Sequence, residues 1–351
     1  MDINEFEFPT TRFSGSKRRF RDWIWYNVKD LEFDSVLDPF GGTASISLLF
    51  KLHGKQVFFN DLLRSSQIIG ASIIQNDYTK VTREEAQQVI EIYNGDYDDL
   101  IERKFSGLYF TNEENQWLDR VTQNIFKVEN QFKKFIMLAA LAQSCLIKRP
   151  FGKFHRANLN FWIEGRLRRT SFGNQRTWDA PFEKYFGRFI EEFSNAIFSN
   201  GKKNIVIGGY DALEIPDNDA DLIYLDPPYL PVGCNTDESY FYFYHFIDGL
   251  CNYENWEDGI IDDNRLKIGH EHEGFSRFIC GTKLRKNFEK LFDKFRNSII
   301  VVSYRSDGYI SIDEIIDILR HVGKCNISVK TTSARYAFNR QECFEVLVIA
   351  K

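Results

Sequence analysis

The tetrapeptide Asp226-Pro227-Pro228-Tyr229 puts a carboxylate, a rigidly held carbonyl and an aromatic ring within four residues. An exocyclic amine on an aromatic base is a poor nucleophile, because its lone pair is delocalised into the ring. To attack an electrophilic methyl group it needs acceptors that hold both N–H bonds and turn the lone pair outward. Asp226 offers one acceptor. The carbonyl of Pro227 offers a second, aimed by a backbone that proline fixes. Tyr229 adds a face on which a planar base can stack. Such a site acts by positioning and preorganised electrostatics, without a covalent intermediate. The plainer alternative is a Pro-rich turn that only ends a strand.

A second group is the loop Asp38-Pro39-Phe40-Gly41-Gly42-Thr43-Ala44-Ser45. Glycines at a strand-to-helix turn let a ligand approach the backbone closely. The G-x-G-x-x-G pattern of dinucleotide sites is missing, and so is a His/Tyr–Lys constellation, which argues against a nicotinamide dehydrogenase. Asn60-Asp61 closes the next apolar run, where an acidic residue typically binds ribose hydroxyls. Asp211 follows the run NIVI and is placed to read an adenine edge. Taken singly, each Asp serves as readily as a helix cap.

These residues need elements to hold them. Seven short β-branched or aromatic runs recur at Ser35–Asp38, Gln56–Asn60, Asn204–Ile207, Asp221–Leu225, Ser298–Ser303, Asn326–Lys330 and Cys343–Ile349. Near-continuous apolar strands separated by helical segments predict a parallel sheet covered on both faces. Only about a dozen residues separate the last two runs, too few for a crossover helix, so they are expected to pair as an antiparallel hairpin. The expected fold is α/β and Rossmann-like: a seven-stranded, mostly parallel sheet with an antiparallel last strand. Ser311-x-x-Glu314 and Thr82-x-x-Glu85 are capping boxes that open helices, and Gly323 closes the first of these.

The alternation breaks once. Roughly 140 residues lie between the second and third strand runs, first helical, including the strongly apolar Gln131–Lys148, then loop-like. The stretch Lys148–Arg188 carries ten Lys/Arg against Glu164, Asp179 and Glu183, with aromatics interleaved. The expected organisation is 1–75 as a cofactor-binding half, 76–200 as an inserted helical and basic recognition lobe, and 201–351 as a catalytic half.

Together these residues resemble the Dam-like, alpha-group adenine-N6 DNA methyltransferases, in which a cofactor region precedes a recognition region and the DPPY motif comes last. The likeness extends to Arg12-Phe13-Ser14-Gly15-Ser16-Lys17, similar to the family's first cofactor motif, and to Ser144–Gly152 (SCLIKRPFG). It implies a Rossmann-like methyltransferase fold and S-adenosyl-L-methionine as methyl donor. By the resemblance, Lys17 pairs with the donor's carboxylate, Phe13 lies beside it, and Asp38, Phe40 and Gly42 match the glycine loop. Asp61 and Asp211 hold the ribose and adenine. Ala44 stands where the family usually has glycine. The implied activity is sequence-specific methylation of a flipped adenine in double-stranded DNA, within a restriction–modification system whose nuclease would be a separate chain. Methylation of cytosine N4, and a non-catalytic DNA-binding module that keeps the fold, remain the alternatives.

Charge and composition set the partners. The net charge of -5 excludes a uniformly basic nucleic-acid binder, but not a locally basic one. DNA contact is expected from the basic stretch, through Lys148, Lys153, Arg166, Arg168, Arg169 and Arg176, because phosphate contacts dominate affinity. Arg12, Lys17, Arg18, Arg19 and Arg21 form a smaller basic group. By contrast, Asp211–Asn264 holds fourteen Asp/Glu and no Lys or Arg. Within it, Ser239–Phe246 (SYFYFYHF) alternates with period two. This predicts a strand with Tyr240, Tyr242 and Tyr244 on one face, either a core hairpin or a wall beside a base turned out of the duplex. Tyr304 is a further candidate for that pocket, and His245 reads as structural. The six cysteines show no metal-ligand spacing, so no metal is expected. The longest apolar run, Phe135–Ile147, is too short to span a bilayer. With the acidic, polar start, a cytoplasmic chain is expected.

Overall fold

The computed structural model describes residues 5–13, 15–92, 96–160, 163, 175–228, 240–270, 277–278, 283–334 and 343–351. The chain divides into two compact units. One comprises Gly15–Gly70, Asn200–Tyr240 and His272–Lys351; the other comprises Met1–Ser14, Ala71–Ser199 and Phe241–Glu271. Besides Ala71–Ser199, the helical unit takes in the first residues and a return segment after the DPPY motif.

The first unit is built on one sheet. Its strands are β1 (Ser35–Asp38), β2 (Gln56–Asn60), β3 (Ile205–Gly208), β4 (Leu222–Leu225), β5 (Ile299–Arg305), β6 (Ile327–Ala334) and β7 (Cys343–Ala350), in spatial order β3-β2-β1-β4-β5-β7-β6. Strands β1 to β5 pair in parallel, and β7 runs antiparallel to both β5 and β6. The expected hairpin is therefore present. Central strands are apolar on both faces because helices cover both. The helix Leu284–Lys294 buries Leu284, Phe288, Leu291 and Phe292, a 4-3-1 spacing that makes one stripe. The helix Ile312–His321 buries Ile315, Ile318 and Leu319 and opens with the Ser311/Glu314 capping box. At the amino ends of β1 and β4, Asp221 Oδ2 accepts from the backbone of Asp34 and Ser35 and from Ser35 Oγ, at 2.9, 2.9 and 2.7 Å. Strand β1 lies between β2 and β4, so the crevice beyond the carboxyl ends of β1 and β4 is the topological switch point.

The second unit is helical. In the helix Gln131–Ile147 every residue from Ile136 to Ile147 is buried, which explains an apolar run with no polar face. The helix Phe182–Asn195 turns Phe182, Tyr185, Phe186, Phe189, Ile190 and Phe193 inward. Capping boxes open two further helices, at Thr82/Glu85 and at Thr111/Glu114. Much of the aromatic excess is core here: Phe154 stacks on Phe246 at 4.8 Å, and Phe105 lies 4.9 Å from Trp256.

The expected strand at Ser239–Phe246 is wrong. Tyr240–Leu250 is an α-helix that buries Phe243, Tyr244, His245, Phe246, Ile247 and Leu250. The polar–apolar alternation carried no weight because tyrosine and phenylalanine are both readily buried. The helical spacing of Phe243, Phe246, Ile247 and Leu250 decided the outcome. Among the described residues, no helix is long and apolar enough to cross a membrane.

Candidate active site

The carboxyl ends of the parallel strands bring three acids to one edge of the sheet unit. Asp38 ends β1, Asp61 follows β2, and Asp226 follows β4. Leu37 pairs with Ile223, so the chains leading to Asp38 and Asp226 emerge from neighbouring strands.

The loop after Asp38 is shaped by its neighbours. Gly41 packs edge-on to the buried ring of Phe59, where a Cβ would stand 2.1 Å from Phe59 Cε2. Gly42 has φ +52°, and a Cβ there would meet nothing nearer than the Phe40 carbonyl at 3.9 Å, so its backbone is open to a ligand. Its N–H donates to Asp61 Oδ2 at 2.8 Å. Ala44, at the turn into the helix Ser45–Leu52, holds φ 58°. This is the left-handed conformation that glycine adopts most easily. Asn60 ties the strand ends together: its Nδ2 donates to the carbonyls of Pro39 and Tyr210, at 3.0 and 2.9 Å, and its Oδ1 accepts from Tyr210 N at 3.1 Å.

Electrostatics follow from burial. Asp38 is 2% exposed and accepts from Ser47 Oγ at 2.6 Å. Desolvation, with repulsion from Asp226 and Asp61, pushes it up to about 7. Burial raises Asp61 to about 6, although the N–H groups of Leu63 and Gly42 stabilise its ionised form. Asp226 is pushed up to about 7 by burial and by Glu345, opposed by Lys17. Lys17, 3% exposed, places Nζ 3.0 Å from Asp226 Oδ1 and 3.0 Å from Glu345 Oε1. Asp211 is buried, capping Leu213 N at 2.9 Å and pairing with Arg277 at 2.9 Å. Phe40 stays in the loop, its ring 5.2 Å from that of Phe278.

The other expected residues divide. Pro227 and Pro228 follow Asp226 in the strand-end loop, while Tyr229 lies outside the described residues. Phe13 belongs to the helical unit and stacks on Tyr244 at 4.1 Å. Tyr240 and Tyr242 occupy the first turn of the helix Tyr240–Leu250, partly exposed. His245 is buried with Nε2 3.0 Å from the Tyr109 hydroxyl, and burial lowers its pKa to about 3, so it is neutral. Tyr304 is corrected from pocket wall to core. It is fully buried in β5 beneath Gly308, whose added Cβ would stand 2.2 Å from its ring.

The basic stretch is also corrected in part. Lys148 is buried, not a DNA contact: Nζ pairs with Glu114 at 2.8 Å and donates to the carbonyls of Trp178 and Ala180. Arg149 is likewise internal, donating to the carbonyls of Tyr109 and Arg156 at 3.0 and 2.8 Å. Lys153 lies over the ring of Phe243 at 3.6 Å, and Arg176 is exposed. Arg166, Arg168 and Arg169 lie outside the described residues. Burial also removes Lys17 from the smaller basic group. Part of the acidic segment is consumed within the helical unit, Glu257 by Arg103 at 2.8 Å and Asp262 by Lys104 at 2.9 Å.

Glu345 escaped the sequence reading, although one signal was present: a single carboxylate inside the apolar run CFEVLVI.

Comparison with known proteins supplies independent findings. Residues 13–248 match the family described as D12 class N6 adenine-specific DNA methyltransferase. The chain is 25% identical over 361 residues to the type II methyltransferase M2.HphI of Haemophilus parahaemolyticus, with 99% of each chain covered. It is 22% identical over 349 residues to the type II methyltransferase M.NlaIII of Neisseria lactamica, covering 94% of this chain and 93% of that one. It is also 25% identical over 336 residues to M.FokI of Planomicrobium okeanokoites, covering 89% of this chain and 47% of that relative.

Proposed function

The chain belongs to the D12 class of N6 adenine-specific DNA methyltransferases, and we infer that its sheet unit moves a methyl group from S-adenosyl-L-methionine to an adenine amine at Asp226. The observation that carries this reading is a carboxylate, followed by the rigid Pro227 carbonyl, at the end of β4 beside the glycine loop of β1. Asp226 and Asp61 raise the proton affinity of buried Asp38 at this edge, and a cationic ligand relieves that repulsion. A donor that carries both a sulfonium and an ammonium fits that demand, and the open backbone at Gly42 fits close approach. When bound, it supplies an electrophilic methyl carbon whose sulfur leaves with the bonding electrons.

Asp38 and the Gly42 loop would hold the donor's amino-acid end, and Asp61 its ribose. Asp61 has spare acceptor lone pairs beyond the two N–H groups it already caps. Asp211 would read the donor's adenine. Lys17 is here engaged by Asp226 and Glu345, so its first role is to place Asp226.

Asp226 and the Pro227 carbonyl take the two N–H bonds of the target amine, which holds the lone pair out of the ring. Once the new C–N bond has formed, the amine carries one proton too many. Asp226, with its affinity raised by burial, accepts that proton. Tyr229, with Tyr240, would stack on the extruded base and offset its lost stacking. The exposed Arg176, with Lys153, Arg166, Arg168 and Arg169, would hold duplex phosphates. Similarity to type II methyltransferases supports a role beside a restriction endonuclease.

Asp226→Ala tests the assignment. Transfer of labelled methyl to DNA should fall by at least about a thousandfold, while donor and DNA binding stay within a few-fold. A variant of full activity refutes it.

A further inference from the structure

Glu345 is a costly residue for its place. It lies in β7 between β5 and β6, it is fully buried, and its strand neighbours Val346, Leu347 and Val348 are aliphatic. A buried carboxylate is tolerated only where its charge and lone pairs are met. Glu345 meets them twice: Ser303 Oγ donates at 2.7 Å from β5, and Lys17 Nζ lies 3.0 Å away. The same ammonium is 3.0 Å from Asp226, so the two carboxylates share one cation and stand no further apart than twice that distance.

This sharing has a chemical consequence. A lysine paired with Asp226 alone would neutralise it, leaving a weaker acceptor for an N–H bond and a weaker base for the released proton. With Glu345 on the other side, Lys17 is fixed in place while its charge is divided.

We propose that Glu345 is a positioning residue for methyl transfer: through Lys17 it sets the orientation and basicity of Asp226. This rests on the reading of Asp226 as the amine's acceptor. Among the described residues, the ionisable groups facing Asp226 are Lys17 from the 3-10 helix Lys17–Phe20, Glu345 from β7, Asp38 from β1 and Tyr224 from β4. Of these, Lys17 and Glu345 share its ion-pair cluster.

The test is Glu345→Gln, which keeps size and the oxygen that Ser303 meets while removing the charge. Two readouts are compared with the wild type. One is the pH profile of single-turnover methylation, using tritiated S-adenosylmethionine and genomic DNA from a strain lacking adenine methylation. The other is a carbon-13 titration of the Asp226 carboxyl in ligand-free protein, assigned by its loss in Asp226→Asn. The acidic limb and the titration midpoint should both move down by about one pH unit, because a neighbouring negative charge has gone. The plateau rate should fall about tenfold as the base weakens, with donor affinity little changed. Ser303→Ala, which withdraws a hydroxyl from ionised Glu345, should move both in the same direction by a smaller step, and it keeps the question open to test if Glu345→Gln does not fold. Unmoved midpoints in the variants overturn the proposal, whatever happens to thermal stability, and leave Glu345 a structural residue. A wild type that methylates no DNA adenine would instead overturn the reading of Asp226. The ligand-free titration then still reports on the Glu345 coupling.

Discussion

Replacing Gly41 with alanine should damage this protein out of proportion to one methyl group. The fully buried ring of Phe59 is held between two glycines: a Cβ on Gly41 would stand 2.1 Å from Phe59 Cε2, and one on Gly70 would stand 2.5 Å from Phe59 Cδ1. The ring cannot retreat from the first without pressing on the second. Gly41 has no left-handed φ, so alanine suffers from packing and not from backbone geometry. What gives way is the loop itself. Its shift would pull Gly41 N–H from the Asn60 carbonyl, now at 2.9 Å, and Gly42 N–H from Asp61, now at 2.8 Å. Overpacking of this kind costs about 1–3 kcal/mol, and a weakened buried hydrogen bond adds about 1 kcal/mol. Gly41→Ala should therefore lose about 2–4 kcal/mol in urea unfolding, and donor binding by calorimetry should weaken at least about tenfold. Phe59→Leu removes the offending ring edge, so the double variant should be more stable than the sum of the singles by about 1–3 kcal/mol. A Gly41→Ala protein with wild-type stability and donor affinity, or an additive double variant, would refute the reasoning.

Two further outcomes follow from charge. Asp226 titrates near 3.8 when unfolded and is raised to about 7 in the fold, so between those values the folded protein holds the proton that must be absent for catalysis. Single-turnover methylation should therefore fall about tenfold per pH unit below about 7, and a rate flat down to about pH 5 would contradict the assigned base. Lys148 and Arg176 should behave oppositely. Lys148→Met breaks a buried pair and should cost about 2–4 kcal/mol in thermal unfolding, with the salt dependence of DNA binding unchanged. Arg176→Ala should leave stability intact and reduce the salt slope by about one. An unstable Arg176 variant, or an altered salt slope for Lys148→Met, would reverse those roles.

Most of the architecture was written in local patterns. Short β-branched and aromatic runs located the strands, the short connection located the hairpin, and Asp226-Pro227-Pro228 follows a parallel strand as its place in the sequence implied. What escaped depended on partners distant in the chain. Glu345 reads as an oddity in a strand until Lys17, more than three hundred residues earlier, is placed against it. Lys148 and Arg149 look like part of a basic surface, yet a buried helix end carries them inward to carbonyls that need donors. Tyr304 lies after a strand run as a pocket residue would, but its side of β5 faces the core. The segment from Tyr240 misled for a different reason: with aromatics at nearly every position, polarity cannot reveal the period, and tertiary burial selects a helix.

The placing of β7 bears on how the molecule is made. β5 and β6 both precede β7 in the chain, so until β7 is made β5 keeps a seven-residue edge unpaired and β6 lacks its partner strand. Only when Cys343–Ala350 emerges does that strand slide between them, closing an edge on which another chain could otherwise add. The same strand carries Glu345, so the cluster around Lys17 and Asp226 lacks this carboxylate until β7 is in place. Insertion of this one strand thus closes the open edge and completes the charge cluster together.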